Sequence, residues 1–222
     1  VTPAPEDAET EHVDTEHVFG HLHFPAGSPR GLVALTHGAG GNCETKILRL
    51  MCSRFAAAGF LALRYDLPFR RRRPKGPPQP SRAEEDRAGI AAAAAALRER
   101  GDGPLVLGGV SYGGRQVTML AAAQPEIADE LLLMSYPLHP PGKPDKPRTE
   151  HLPSLTVPSV FVHGERDPFG TLDELRDALT LVPAPTRLLA VEGAAHDLSR
   201  AKTDPSDEAV RAVVALADGE AR

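Results

Sequence analysis

Cysteine is scarce in this chain: Cys43 and Cys52 are the only two among 222 residues. Both fall in one predicted helical region, which excludes a disulfide framework and points to free thiols in a reducing compartment. Apolar runs are short, and none reaches the length that spans a bilayer. The opening VTPAPEDAETEHVDTEH lacks the basic-then-apolar profile of a secretory signal. A cytoplasmic location without a membrane partner is the resulting expectation. No excess of positive charge is present either. The net charge of −5 gives no global reason to expect nucleic acid as a partner. His12, His17, His21 and His23 cluster early, but no cysteine or acid pattern completes a ligand set, so neither metal nor cofactor is expected. There is no internal repeat and no second core.

What is present is an ordinary globular composition, 41% apolar and 25% charged, in a chain long enough for one full core. Residues 1–16 carry prolines and acids without periodicity and read as a mobile tail. Residues 17–222 read as a single domain, monomeric or a small homo-oligomer. HVFGHLHFPAG alternates as a half-exposed strand does. In RGLVALTHGAGG, Leu32 to Leu35 are all apolar, as in a strand buried on both faces of a parallel sheet. ETKILRLMCSRFAAAGF has helical spacing. FLALRYDLP is a strand. FRRRRPKGPPQPS reads as a loop, since its prolines exclude a helix. SRAEEDRAGIAAAAAALRERG is a helix, with Ser81 as N-cap, Glu84 three residues on and Gly101 as stop.

The alternation continues through PLVLGGV, GGRQVTMLAAAQP, DELLLMSYP, VPSVFVHGERDPFG, TLDELRDALTLV with Thr171 as cap, TRLLAVEGAAHDL and DPSDEAVRAVVALADG. Strand and helix in turn predict an α/β fold: a mostly parallel sheet of about six to seven strands with helices on both faces. The two proline-rich loops follow strands, at the sheet edge where open α/β sheets place ligands.

The candidate chemistry centres on PLVLGGVSYGGRQ. Nine serines and 20 glycines make a chance Gly-x-Ser-x-Gly expected roughly 0.07 times per chain. Position sharpens the signal, because Ser111 lies where a buried strand meets a helix. A sharp strand-to-helix turn needs Gly109 and Gly113 to avoid clashes, and it lifts the hydroxyl beside a helix N-terminus. The plain alternative is a structural turn serine. A serine nucleophile needs a base and an acid that orients the base. Asp167 follows one strand and His196 follows another, in the order Ser, Asp, His. Glu165 and Asp173 are rival acids, and His196 has a rival reading as a surface-loop histidine. An oxyanion hole needs two backbone N–H groups. Tyr112, directly after Ser111, and Ala39 in THGAGGN are the candidates, with Gly40 as second choice to Ala39.

THGAGG, GGVSYGGR, SYPLHPPGKP, RTEHLP, HGERDPFG and GAAHDL together resemble a branch of the α/β-hydrolase superfamily, over roughly residues 18–198. That branch is dienelactone-hydrolase-like and groups small bacterial hydrolases with eukaryotic testis-expressed and NSL-complex subunits. The resemblance implies an α/β-hydrolase fold with Ser111 as nucleophile, Asp167 as acid and His196 as base. Dienelactone hydrolases proper carry cysteine where this chain has Ser111, so their substrate does not transfer. The eukaryotic subunits act mainly as complex members, which keeps a non-catalytic scaffold open.

The expected function is hydrolysis of an ester or thioester of a small acyl substrate, with peptidase or acyltransferase chemistry as alternatives. Further substrate-binding candidates are His37, Gly40, Arg115, His139 and Arg148. His37 and His163 also have structural readings. Arg115 stands out because a cation in a helix's first turn is unfavourable by itself. Arg70 to Arg73 form either a solvated loop or an anion contact. The long loop holding His139, Lys143, Arg148 and His151 is expected to wall the pocket in place of a lid domain.

Overall fold

The computed structural model describes residues 9–217. Eight strands form one sheet: β1 (Thr10–Asp14), β2 (Phe19–His23), β3 (Gly31–Thr36), β4 (Phe60–Tyr65), β5 (Leu105–Val110), β6 (Glu130–Met134), β7 (Ser159–Gly164) and β8 (Thr186–Val191). Their spatial order is β1-β2-β4-β3-β5-β6-β7-β8. β2 pairs antiparallel with both β1 and β4, and β3 through β8 run parallel. The helices are α1 (Lys46–Ala57), α2 (Pro68–Arg72), α3 (Ala83–Arg98), α4 (Tyr112–Ala123), α5 (Leu172–Leu179) and α6 (Ser206–Ala217). No helix among the described residues is long and apolar enough to cross a membrane.

The period of two along each strand divides the core into two layers. Leu32, Ala34, Leu107, Leu131 and Leu133 pack with α3, α4 and α5, through residues such as Ile90, Val117 and Leu175. Val33, Leu35, Val106, Leu132 and Val162 pack with α1 and α6, through Met51, Phe55 and Val213. Each central strand is buried on both sides, which is why these strands are continuous apolar runs. Ala93 and Ala94 of the alanine run are buried in α3, where small side chains let the helix lie close to the sheet.

Four expectations change. The sheet has eight strands, because residues 10–14, read as part of the tail, pair in register with β2 from Thr10↔His23 to Asp14↔Phe19; residues 1–8 lie outside the described residues. The segment after β4 begins with the short helix α2, for Pro68 stands at its first turn, where a missing N–H costs nothing. Ser81 is not the N-cap of α3. It sits within a 3-10 turn, Pro80–Arg82, and Arg82 occupies the cap position without a side-chain bond. That helix ends at Arg98, before Gly101. Thr171 does cap α5: its hydroxyl accepts from the Glu174 N–H, and Glu174 reaches back to the Thr171 N–H.

From β3 the chain passes to β4 on one side, and β5 then returns to the other side of β3. This reversal opens a crevice at the carboxyl ends of β3 and β5, the place where such sheets receive ligands. The loops after β3, β5, β6, β7 and β8 all reach that edge.

Candidate active site

Ser111 joins β5 to α4 with φ 50° and ψ −115°, a backbone conformation that a non-glycine residue adopts only when its surroundings hold it there. The surroundings are tight. A Cβ at Gly109 would stand 2.9 Å from the Gly114 nitrogen and 3.0 Å from the Thr36 oxygen, and one at Gly113 would collide with the His37 carbonyl. Only glycine fits at either position. The Ser111 N–H donates to the Met134 carbonyl at 2.8 Å, which fastens the turn to β6.

The turn aims the Ser111 hydroxyl at the loop after β8, where His196 Nε2 lies 2.9 Å away. On its other side, His196 Nδ1 is 2.7 Å from Asp167 Oδ2. The Asp167 side chain is fully buried, and its second oxygen accepts the Phe169 N–H at 2.9 Å. Ser111, His196 and Asp167 therefore form one hydrogen-bonded chain, assembled from residues 85 and 29 positions apart. Glu165, the rival acid, instead accepts the Gly193 N–H at 2.9 Å. Asp173 pairs with Arg176 within α5.

The glycine loop after β3 lies against the serine, so close that a Cβ at Gly38 would be 3.3 Å from Ser111 Cβ. His37 is fully buried beneath this loop and does not line the cleft, so it is a structural residue here and not the substrate contact expected from sequence. Its Nε2 accepts the Leu67 N–H at 3.1 Å, so Nδ1 carries the proton and donates to the Gly38 carbonyl at 2.8 Å. Burial holds its pKa below the ordinary histidine value, so it stays neutral. In a trans peptide the N–H points opposite to the carbonyl. Fixing the Gly38 carbonyl thus turns the Ala39 N–H away from His37.

Arg70 performs the companion task. It is 6% exposed, and its guanidinium donates to the carbonyls of Gly41 at 2.7 Å and Ala39 at 2.8 Å. The arginine run therefore divides: Arg70 is an interior brace, Arg71 ties to Asp14 and to the carbonyls of Thr15 and Glu16, and Arg72 pairs with Glu85. A run of like charges carries no sequence mark that singles out the buried member.

Tyr112, the first residue of α4, has no partner within the helix for its N–H. Its ring is held from the side: the phenol donates to buried Asp86 at 2.7 Å, and Asp86 also accepts the Phe69 N–H at 2.9 Å. Burial, helped by that carboxylate, raises the phenol pKa.

Two further residues shape the site without a sequence signal. Ser135 also has φ 50°, and its hydroxyl donates to the His196 carbonyl at 2.7 Å. Phe169 lies over the His196 ring, with centroids 4.2 Å apart. His163 is structural: its Nε2 meets the Gly170 carbonyl at 2.8 Å and holds the Asp167 loop closed.

The cleft over Ser111 has a volume of about 1180 Å³. Gly40, Arg115 and Arg148 line it, together with Met119 and Phe169. His139 does not. It is a buried member of the long loop 135–158, with Nδ1 at the Pro140 carbonyl and its backbone N–H on the Phe169 carbonyl at 2.9 Å. His151 is likewise internal, against Thr118 and Tyr136, and burial lowers its pKa to about 4. Pro78, Pro80, Ser81, Pro137 and Arg148 contribute to the cleft wall, and the described residues form no separate lid.

His21, Cys43 and Glu44 place three donor atoms within 4.8 Å of one another. Glu44 is already paired with Arg64 at 2.5 Å, and burial pushes the Cys43 thiol up to about 12, so the group is an ion-pair cluster rather than a ligand set.

The parallel sheet, the strained serine turn and the loop order define an α/β hydrolase. The chain belongs to the alpha/beta hydrolase domain family, whose model matches residues 29–218. It is similar in structure to TT1662 from Thermus thermophilus, at TM-score 0.72 and 21% identity, over 97% of this chain and 100% of that one. A dienelactone hydrolase from Anabaena variabilis superposes at TM-score 0.66 with 22% identity, over 96% and 94% of the two chains. XC6422 from Xanthomonas campestris, described as a serine hydrolase without a lid, superposes at TM-score 0.69 with 16% identity, over 94% and 96%.

Proposed function

We propose that this protein is a serine hydrolase that cleaves esters or thioesters of a small acyl substrate. The observation that carries this reading is the chain from Ser111 Oγ to His196 to buried Asp167, at 2.9 and 2.7 Å, opening into the cleft.

In this mechanism Ser111 Oγ attacks the substrate carbonyl while its proton passes to His196 Nε2. The Asp167 carboxylate stabilises the imidazolium that forms and keeps the ring in the productive orientation. The carbonyl oxygen becomes an alkoxide, met by the N–H groups of Tyr112 and Ala39. Collapse expels the alcohol or thiol, which takes the proton from His196, and leaves an acyl group on Ser111. Water then attacks the acyl-enzyme with His196 as base, and the acid departs.

The test is labelling with a fluorophosphonate probe. Labelling that disappears in Ser111→Ala is expected. Well-folded protein that takes no label would instead mark a non-catalytic hydrolase-like scaffold. A series of p-nitrophenyl esters of increasing acyl length then measures the usable depth of the cleft.

A further inference from the structure

Two cations, Arg115 and Arg148, line the cleft. Arg115 lies one helical turn beyond Ser111, its N–H donating to the Ser111 carbonyl at 2.9 Å. Arg148 reaches the same cleft from the long loop 135–158. Neither forms an ion pair among the described residues. Among the described residues, Arg115 Nε is buried with no hydrogen-bond partner, and the side chain of Arg148 makes one bond, to the Pro137 carbonyl at 3.2 Å.

The acids nearby are otherwise engaged or remote. Glu84 and Asp197 also line the cleft, but Glu84 is paired with Arg87, and Asp197 with Arg200. Glu150, which acts on Arg148 through space, is exposed. Two guanidiniums at one wall repel each other, and a partly buried cation without a partner is costly. Burial and the neighbouring Arg115 both lower the Arg148 pKa, in keeping with that repulsion. Arg115 also stands in the first turn of α4, where the helix dipole disfavours a cation. Two guanidinium forks facing one space suit the two oxygens of a carboxylate.

We propose that Arg115 and Arg148 form a carboxylate-binding subsite beside Ser111, so that the substrate is an ester or thioester bearing a carboxylate. The assignment deepens the hydrolase reading and rests on it for the word substrate, whereas binding of the anion can be measured without turnover.

Two measurements decide it. In the first, glutarate is titrated calorimetrically into protein carrying Ser111→Ala. Binding is expected, and adding Arg115→Gln or Arg148→Gln weakens it at least fivefold. Thermal melting confirms that each variant is folded, and Arg148→Lys, which keeps the charge but loses the fork, gives an intermediate affinity. In the second, hydrolysis of monomethyl glutarate is compared with dimethyl glutarate, and 4-acetoxybenzoate with its methyl ester. These pairs place the charge on the acyl side and on the leaving side. At least a tenfold preference in kcat/KM for the anion is expected in one pair. The ratio then falls toward one in each arginine variant and declines with added salt.

Glutarate binding that is absent, or unchanged by both substitutions, overturns the subsite, as does a ratio near one in both pairs. If fluorophosphonate labels Ser111 while glutarate fails to bind, the subsite falls and the hydrolase reading stands. If glutarate binds through the arginines while Ser111 takes no label, the anion site stands and the hydrolase reading falls.

Discussion

The Ser135 hydroxyl donates a 2.7 Å hydrogen bond to the backbone carbonyl of His196. It ties the loop after β8 to the start of the loop after β6, and so sets where the imidazole stands relative to Ser111. Ser135→Ala leaves that carbonyl without its partner, at a cost of about 1–2 kcal/mol in stability. If Ser135 positions His196, kcat falls about tenfold while KM stays near its starting value. A purely structural role would lower the melting temperature and leave kcat per folded molecule unchanged.

The acid assignment separates two neighbours on one loop. Asp167→Asn is expected to reduce turnover by roughly 10²- to 10⁴-fold, because the amide no longer stabilises the imidazolium. Glu165→Gln keeps an acceptor for the Gly193 N–H and leaves turnover within about twofold. Steady-state kinetics on one p-nitrophenyl ester checks both, and the reverse pattern would move the acid to Glu165.

Arg70→Lys tests the brace under the glycine loop. A lysine keeps the charge but lacks the fork that holds the Gly41 and Ala39 carbonyls together. Loss of at least two interior hydrogen bonds costs about 2–4 kcal/mol. The Ala39 N–H then loses its fixed aim, and kcat drops about ten- to a hundredfold with a smaller change in KM. Denaturant melts and kinetics on the same preparations separate the two effects.

Tyr112→Phe asks whether the side chain or the backbone of that residue matters. Asp86 is fully buried and loses the phenol as a donor, so stability falls by about 1–3 kcal/mol. Fluorophosphonate labelling at Ser111 is expected to persist, because the proposed oxyanion donor is the backbone N–H, which the substitution keeps. Labelling abolished in folded protein would assign the phenol a direct role.

Glu130 predicts a slope in stability against pH. Both of its carboxylate oxygens are buried without hydrogen-bond partners among the described residues, and burial raises its pKa from 4.5 to about 8. The folded state therefore binds this proton more tightly than the unfolded chain. Its contribution is fully present below pH 4.5 and is lost as pH rises from there through about 8. Glu130→Gln removes the titration, so the difference between melting temperatures at pH 5 and pH 8 shrinks. An unchanged difference would place the slope on other groups.

Much of this architecture was legible because the physics is local. Continuous apolar runs such as Leu32–Leu35 and Leu131–Met134 mark strands buried on both faces, and Thr171 with Glu174 marks a helix start. Where local patterns compete, reading failed. β1 is polar on most of its positions, and only pairing with β2 makes it a strand. The prolines after β4 signalled a loop, although Pro68 opens a helical turn. Ser81 has the spacing of a cap, yet the 3-10 turn of Pro80–Arg82 takes the chain past it.

By itself the sequence determined the alternation of strand and helix, the glycine frame around Ser111 and the order in which Ser111, Asp167 and His196 arrive. Those follow from side-chain period and backbone freedom, which are properties of neighbouring residues. Tertiary structure decided the rest: that Arg70 alone of its run is interior, that Ser135 and Asp86 support the site, that His37 and His139 are buried away from the cleft lining, and that Arg115 and Arg148 line one cleft. Burial and partnership depend on which distant segments the sheet brings to its carboxyl edge, and no local pattern encodes them.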